Sequence, residues 1–389
     1  MNILIYNIGE FYPNKGGVER ISCNLAQEFI DRGNKVVFLI KKKNFNINQD
    51  TLCKMISLET EDFSDDDIKL RISNILDECK IDVVLSQDSY DLQFIKFMKK
   101  NFIVPVVSVH HGKPLPDIFE LKRTKVKGEN ISFNKIMKKV LIRYRYKRRL
   151  KGNIKNVKDM IDYSAKLVLL SNNFKKDIMR NINIDEDKVT SISNFTRFNN
   201  ITSDENLKKR KTVLFVGRLL SQKEPIRLIL VWEKLYKKYP DWNLRIAGDG
   251  AYKDNLIKYI DKYNIKNVDI LGTVDPIEEY KKASILCMTS TYEGFGLVLI
   301  EASVFGCVPM AFDSFSSVHD IIENGKNGIL VQPFDLKKYQ KELEKFMSDE
   351  NYRKQLQKET LKVNEKFDKD KIVDQWIKLF EDLIKRGNK

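Results

Sequence analysis

Two carboxylates at fixed spacing, Glu293 and Glu301, lie in the stretch Glu293-Gly294-Phe295-Gly296-Leu297 through Glu301. The apolar run Ile285-Leu286-Cys287-Met288 ahead of them reads as a buried strand, and Leu297 to Val304 as a helix. Two acids and two glycines therefore occupy a strand-to-helix junction, where ligands bind in parallel α/β sheets. A loop carboxylate and a helical carboxylate can grip two parts of one polar ligand, and the glycines let backbone N–H groups approach it. A Gly-rich turn with two solvated acids would show the same spacing. Arg218 and Lys223 flank a second strand-end loop beside Gly217. A guanidinium fork and an ammonium point charge can together bind a diphosphate, or they are two surface cations. Gly16-Gly17 precedes a helix pattern, where free N–H groups and the helix dipole suit a phosphate. His110 ends an apolar strand, placed either to enter a cleft or to pack in the domain.

The elements that must position these residues alternate. Strands are predicted at Ile3–Tyr6, Lys35–Ile40, Val83–Ser86, Val104–Val109, Leu167–Leu170 and Val189–Ile192, with helices between them. After polar residues 196–211 the alternation restarts at Thr212–Val216 and runs through Asn243–Ala247, Val268–Leu271, Ile285–Met288 and Val308–Phe312. Such alternation predicts parallel sheets with helices on both faces. The expected organisation is an N-terminal Rossmann-like domain over 1–195, a linker over 196–211 and a second Rossmann-like domain over 212–371. A C-terminal helix over 372–389 follows. The two domains are expected to face a central cleft, the usual place for a ligand.

A chain of 389 residues is long enough for two domains, and 42% hydrophobic content supports real cores. No window has the uncharged apolar run of a membrane span. The start, Met1 to Tyr6, enters a strand pattern without the features of a signal peptide, so a cytosolic protein is expected. Five scattered cysteines without a C-x-x-C pair, and only three histidines, argue against zinc. The net charge of +15 calls for an anionic partner. Much of it falls in 122–155, where Lys and Arg face the single acid Glu129. Within that segment Phe133, Ile136, Met137, Val140, Leu141 and Tyr144 recur at helical spacing, predicting a basic amphipathic helix over about 132–151. That pattern suits an anionic bilayer, or a surface helix packed on its own domain. With no recognised nucleic-acid module, no nucleic-acid partner is expected.

The chain resembles, over nearly its whole length, the retaining, nucleotide-sugar-dependent glycosyltransferases of the two-domain GT-B fold with an E-x7-E signature (family 4, group 1). The residues that carry the resemblance are Gly16-Gly17-Val18-Glu19-Arg20, Val216-Gly217-Arg218-Leu219 with Lys223, and Gly248-Asp249-Gly250. Glu293 to Glu301 and Gly325-Lys326-Asn327-Gly328 follow in family order. The resemblance implies that Glu293 contacts the donor sugar and Glu301 the nucleotide ribose. It implies that Arg218 and Lys223 hold the diphosphate, that Gly17 offers its N–H to a phosphate, and that His110 lies near the reacting sugar. Gly16, Gly294, Phe295, Gly296, Leu297 and Asn194 complete the donor-binding set. The catalytic set is His110, Glu293, Arg218 and Lys223. No cofactor and no metal are expected; the nucleotide sugar, UDP-linked by family frequency, is a co-substrate. The acceptor implied is a lipid-linked saccharide of surface polysaccharide synthesis, met at the inner face of the membrane through 122–155. A soluble, teichoic-acid or protein-bound acceptor is the alternative, and an inactive membrane-docking protein the non-enzyme one. Two departures stand out: Glu224-Pro225 follows the lysine where the family commonly has Gly, and Asp320 stands where a Glu is usual.

Overall fold

The computed structural model describes residues 1–12, 17–42, 52–60, 62–116, 135–196, 198 and 209–387, with the side chains of 135–142 outside that set. The chain forms two compact units. One comprises Met1–Leu115, Arg149–Phe195 and Lys369–Lys389; the other comprises Pro116–Arg148 and Thr196–Asp368.

The first unit alternates β1 (Asn2–Asn7), α1 (Gly17–Asp31), β2 (Lys35–Ile40), β3 (Met55–Ser57), α2 (Asp66–Glu78), β4 (Val83–Ser86), α3 (Leu92–Asn101) and β5 (Val106–His110). Next come α4 (Lys135–Tyr163), which begins among the residues of the other unit, then β6 (Lys166–Leu169), α5 (Asn172–Asn181) and β7 (Val189–Ser191). The seven strands lie in the order β3-β2-β1-β4-β5-β6-β7, and every pairing is parallel. Strands buried on both faces need apolar side chains throughout, and β4 and β5 are buried at every position. Helix starts are fixed by side-chain caps: Asp65 accepts from the Asp67 N–H, and Ser171 from those of Asn173 and Phe174.

The second unit contains β8 (Arg210–Val216), α6 (Pro225–Leu235), β9 (Asn243–Ala247), α7 (Lys253–Lys262), β10 (Val268–Gly272), α8 (Ile277–Lys282) and β11 (Ala283–Met288). It continues with α9 (Leu297–Val304), β12 (Val308–Phe312), α10 (Val318–Ile321), β13 (Ile329–Val331), α11 (Leu336–Ser348), α12 (Glu350–Leu361) and α13 (Val363–Lys366). Its six parallel strands run β10-β9-β8-β11-β12-β13. The last helix, α14 (Lys369–Gly387), belongs to the first unit. There Lys369 pairs with Glu28 at 2.7 Å, Arg32 with Asp370 at 2.7 Å, and Phe380 meets Phe29 edge-on at 5.7 Å.

The two α/β sheets are those the alternation predicts, with local differences. β3 has only three residues and no alternating pattern, so it leaves no mark in the sequence. β5 starts at Val106 rather than Val104, because Pro105 has no N–H to give to a ladder; His110 becomes its last residue. The helix expected over 132–151 is α4, and it runs on to Tyr163. Val157, Met160 and Ile161 of its second half are buried in a core with Leu167, Leu169 and Phe174, and Leu150 and Ile154 pack against that core. This apolar face begins at Leu150, which is why the unit boundary falls there and 116–148 groups away from the first unit. Of the apolar stripe predicted over 133–144, Phe133 and the side chains of Ile136, Met137, Val140 and Leu141 lie outside the described residues; Tyr144 is exposed.

Candidate functional site

In the second unit the chain order reverses between β8 and β11, the neighbouring strands at which the two halves of the sheet diverge. The crevice beyond the carboxyl ends of such a pair is where open α/β sheets bind ligands. The loop after β8 carries Arg218 and Lys223; the loop after β11 carries Glu293. Topology thus joins two residues that are 70 apart in sequence. The Lys223 ammonium donates to Glu293 Oε1 at 2.6 Å, and the Ser290 hydroxyl donates to the same oxygen at 2.5 Å. Lys223 and Glu293 keep side-chain exposures of 17% and 8%, so this ion pair is largely withdrawn from water yet reachable. Arg218 is exposed on the same loop and makes no hydrogen bond or ion pair with the described residues.

The loops are stitched together by backbone groups. The Thr291 N–H donates to Gln222 O at 2.8 Å, and the Thr291 hydroxyl reaches the same carbonyl at 3.0 Å. Gln222 Nε2 returns a bond to Tyr292 O at 2.9 Å, and the Thr289 hydroxyl donates to the carbonyls of Lys223 and Glu224 at 3.1 and 3.0 Å. The loop after β8 also rests on the loop after β9. There Gly217 N donates to Ala247 O at 3.0 Å and Leu219 N to Asp249 O at 2.8 Å. A Cβ at Gly248 would stand 1.9 Å from Gly217 O, so only glycine admits this approach.

The remaining residues of the motif divide by direction. Gly296 caps α9 in the left-handed region (φ 92°), and Leu297 opens the helix. Phe295 is buried, edge-on to Phe367 at 5.8 Å, so it anchors the loop from below. Glu301 is 2% exposed, and its Oε2 accepts from the Tyr280 hydroxyl at 3.0 Å. Tyr280 is itself held: the Lys209 ammonium donates to the carbonyls of Tyr280 and Lys281 at 2.8 and 2.9 Å. Burial pulls the Lys209 pKa down to about 8. A cavity of about 770 Å³ elsewhere in this unit is lined by Asp313, His319, Asp320, Lys326 and Lys362, among others. It touches none of the predicted site residues. Its charges are matched, with His319 on Asp313 at 2.8 Å, Lys326 on Glu323 at 2.8 Å and Lys362 on Glu359 at 2.7 Å. Side-chain chemistry and topology, not cavity size, therefore locate the site.

Gly17, His110 and Asn194 belong to the first unit. Gly17 opens α1, and a Cβ at that position would meet nothing within 4 Å; Gly16 lies outside the described residues. Asn194 is half-buried, three residues beyond β7. His110 is 2% exposed at the end of β5. Its Nδ1 is 3.0 Å from Ser89 Oγ and its Nε2 is 3.4 Å from the Tyr90 hydroxyl, whose ring tilts over it at 4.9 Å. Gly112 makes room for that hydroxyl, which would lie 2.7 Å from a Cβ there. Burial pushes the His110 pKa down to about 4, against a smaller upward pull from a backbone hydrogen bond at Lys113. His111, with Nε2 2.6 Å from Gln87 Oε1, is lowered to about 3, by burial and then by His110. Both rings are neutral at pH 7.

Sequence reasoning missed Ser290, Thr289, Gln222 and Tyr280. Hydroxyls immediately before Glu293 were a readable signal. Tyr280 and Gln222 bear on the site only through folding, and their sequence neighbourhoods carry no mark of it.

Comparison with known proteins bears on the same residues. Residues 197–363 match the family described as Glycosyl transferases group 1. An uncharacterized glycosyltransferase of Haemophilus influenzae is 32% identical over 198 residues, 49% of this chain and 55% of that protein. The GalNAc-alpha-(1->4)-GalNAc-alpha-(1->3)-diNAcBac-PP-undecaprenol alpha-1,4-N-acetyl-D-galactosaminyltransferase of Campylobacter jejuni is 32% identical over 185 residues, 47% of this chain and 51% of that protein. These matches span about half the length of the curated relatives. S. aureus TarM, determined with fondaparinux, alpha-GlcNAc-glycerol and UDP, overlays with a TM-score of 0.73 at 16% identity, covering 97% of this chain and 99% of that one. The fold is therefore that of the GT-B glycosyltransferases. Through residues 197–363 the chain belongs to the group 1 glycosyl transferases.

Proposed function

We propose that this protein moves a hexosyl or N-acetylhexosaminyl group from a nucleoside-diphosphate sugar, UDP-linked in our reading, to an acceptor hydroxyl with retention of configuration. The observation that carries the reading is the Lys223–Glu293 pair at 2.6 Å, built at the switch point with exposed Arg218 on the same loop. In this reading the bond between the anomeric carbon and the β-phosphate oxygen breaks, and negative charge grows on the departing diphosphate. Lys223 and Arg218 stabilise that charge, and fixed charges in a partly dry site do so most effectively. The acceptor oxygen bonds to the anomeric carbon from the face the phosphate leaves, and its proton passes to the departing phosphate. Glu293 holds sugar hydroxyls, Glu301 the ribose, and Gly17 and Asn194 contribute from the first unit. His110, neutral at pH 7, acts near the reacting sugar as a hydrogen-bonding group. The reading needs no metal, because Arg218 and Lys223 supply the positive charge.

The acceptor we propose is a lipid-linked saccharide at the inner face of the membrane. Among the described residues no helix is long and apolar enough to cross a membrane. Arg143, Arg145, Lys147, Arg148, Arg149, Lys151 and Lys155 of α4 are all exposed, and each cation near an anionic leaflet is worth roughly 1 kcal/mol. The name of the Campylobacter relative, with its undecaprenol-diphosphate acceptor, points the same way. A soluble or teichoic-acid acceptor is favoured instead by TarM, whose structure holds alpha-GlcNAc-glycerol. Two experiments test the proposal: a nucleotide-sugar panel offered with a lipid-diphosphate acceptor, and flotation with anionic vesicles. Neither transfer nor donor hydrolysis with any sugar would sink the enzyme reading. Transfer without flotation would favour the soluble acceptor.

A further inference from the structure

Arg227 carries a buried charge that the functional reading leaves without a task. It lies in the first turn of α6, among Ile226, Leu228 and Ile229, and is 1% exposed. Its guanidinium sits 3.9 Å from the ring centroid of Phe334 and 5.7 Å from that of Phe312. Nε lies 3.8 Å from Glu224 Oε2, and Nη1 donates to the Thr289 carbonyl at 3.2 Å. A cation is buried at such a depth only when it is paired and hydrogen-bonded. Burial draws the Arg227 pKa down to about 10, partly restored by Glu224, so it remains charged at neutral pH.

Glu224 is unusual in its own right. It caps α6 in the left-handed region (φ 43°, ψ 52°), where an L side chain is sterically disfavoured and glycine is not. A glutamate kept at such a position has a reason in its side chain, and here that side chain faces Arg227. The Arg227 bond to Thr289 O fixes the residue whose hydroxyl holds the carbonyls of Lys223 and Glu224. Four residues beyond Thr289 stands Glu293, the partner of Lys223.

We infer that Arg227 is a positioning residue for the Lys223–Glu293 pair, acting through the Thr289 carbonyl with Glu224 as its counter-ion. This rests on the reading of Lys223 as a diphosphate-binding cation. The test is calorimetric titration of UDP into the full chain carrying Arg227→Met, Lys223→Ala, or both, with a thermal melt for each. An arginine that acts through Lys223 lowers UDP affinity by about tenfold in the wild-type background and less than about twofold in the Lys223→Ala background, the non-additivity of coupled residues. Equal losses in both backgrounds, or none, would overturn the inference. Should Arg227→Met fail to fold, Glu224→Gln/Arg227→Met removes both charges without stranding either. This pair is expected to melt near wild type and to show the same Lys223-dependent loss; wild-type UDP affinity in it overturns the inference. No UDP binding by the wild-type protein, with GDP and ADP also silent, overturns the functional reading and this inference with it. Binding that Lys223→Ala weakens and Arg227→Met leaves intact overturns the inference alone.

Discussion

The strand-end layer of the first unit and the paired loops of the second are built on opposite electrostatic principles. In the first, His110 and His111 are desolvated, neutral and hydrogen-bonded to Ser89, Tyr90 and Gln87. In the second, Lys223 and Glu293 are held as full charges in direct contact, with Arg218 open to solvent. The contrast follows from what each surrounds itself with. A ring in a layer of hydroxyls and amides has no countercharge, so burial removes its proton. A cation beside a carboxylate keeps its charge because the partner offsets desolvation. We read the charged region as the part that meets a changing charge, and the neutral region as the part that orients a ligand without competing for its phosphates.

The sharpest break of that contrast is Lys223→Ala or Glu293→Ala. Each is expected to lower the transfer rate by about 10²-fold or more, the scale of losing one fixed electrostatic stabiliser. Initial rates at saturating donor measure it, and near-normal turnover by either variant would remove the charged loops from the mechanism. Next in size is Gly248→Ala, which forces a Cβ to within 1.9 Å of Gly217 O and must move the loop bearing Arg218 and Lys223. We expect a loss of about 1–3 kcal/mol in unfolding free energy, the usual cost of overpacking. A denaturant midpoint equal to wild type would show that the loop after β8 gives way freely.

The pH dependence isolates the neutral region. The folded His110 pKa, about 4, lies below the ordinary value of 6.5, so between these limits the unfolded chain holds a proton the folded one does not. Stability contributed by neutral His110 is full above pH 6.5 and declines as pH falls toward 4, by up to about 1.4 kcal/mol per pH unit. His110→Gln should flatten the stability–pH curve in that window. In the same terms kcat/KM should show no histidine step near pH 6.5; a step there that His110→Gln abolishes would place a titrating imidazole in the reaction. The smallest expected effect is on stability in Gly17→Ala, within about 0.5 kcal/mol, because open space surrounds the site. A large loss of donor affinity with an unchanged melt would then assign Gly17 to phosphate binding, and unchanged affinity would withdraw it.

Much of the fold was legible in the sequence. Strands such as Lys35–Ile40, Val83–Ser86 and Asn243–Ala247 are short apolar runs between turn signals, and they stand at their predicted limits. The spacing of Glu293 and Glu301, and the cations at 218 and 223, were likewise readable, because side-chain type and loop position are local properties. β3 was not legible, since three half-buried residues carry no period. Nor was the second half of α4: the sequence drew notice to its cations, while Leu150, Ile154 and Val157, which continue the helix, became visible only once they had a core to enter.

Residue types, element order and the two-sheet class were thus determined by the sequence alone, because helix and strand periods are written along the chain. Partnership was decided by tertiary structure. The parallel sheet brings the ends of β8 and β11 together, so Lys223 meets Glu293 across 70 residues, Arg227 reaches Thr289, and Tyr280 takes Glu301. No local pattern records such pairs, since strand order follows from how the whole sheet closes over its helices, and burial follows from that order.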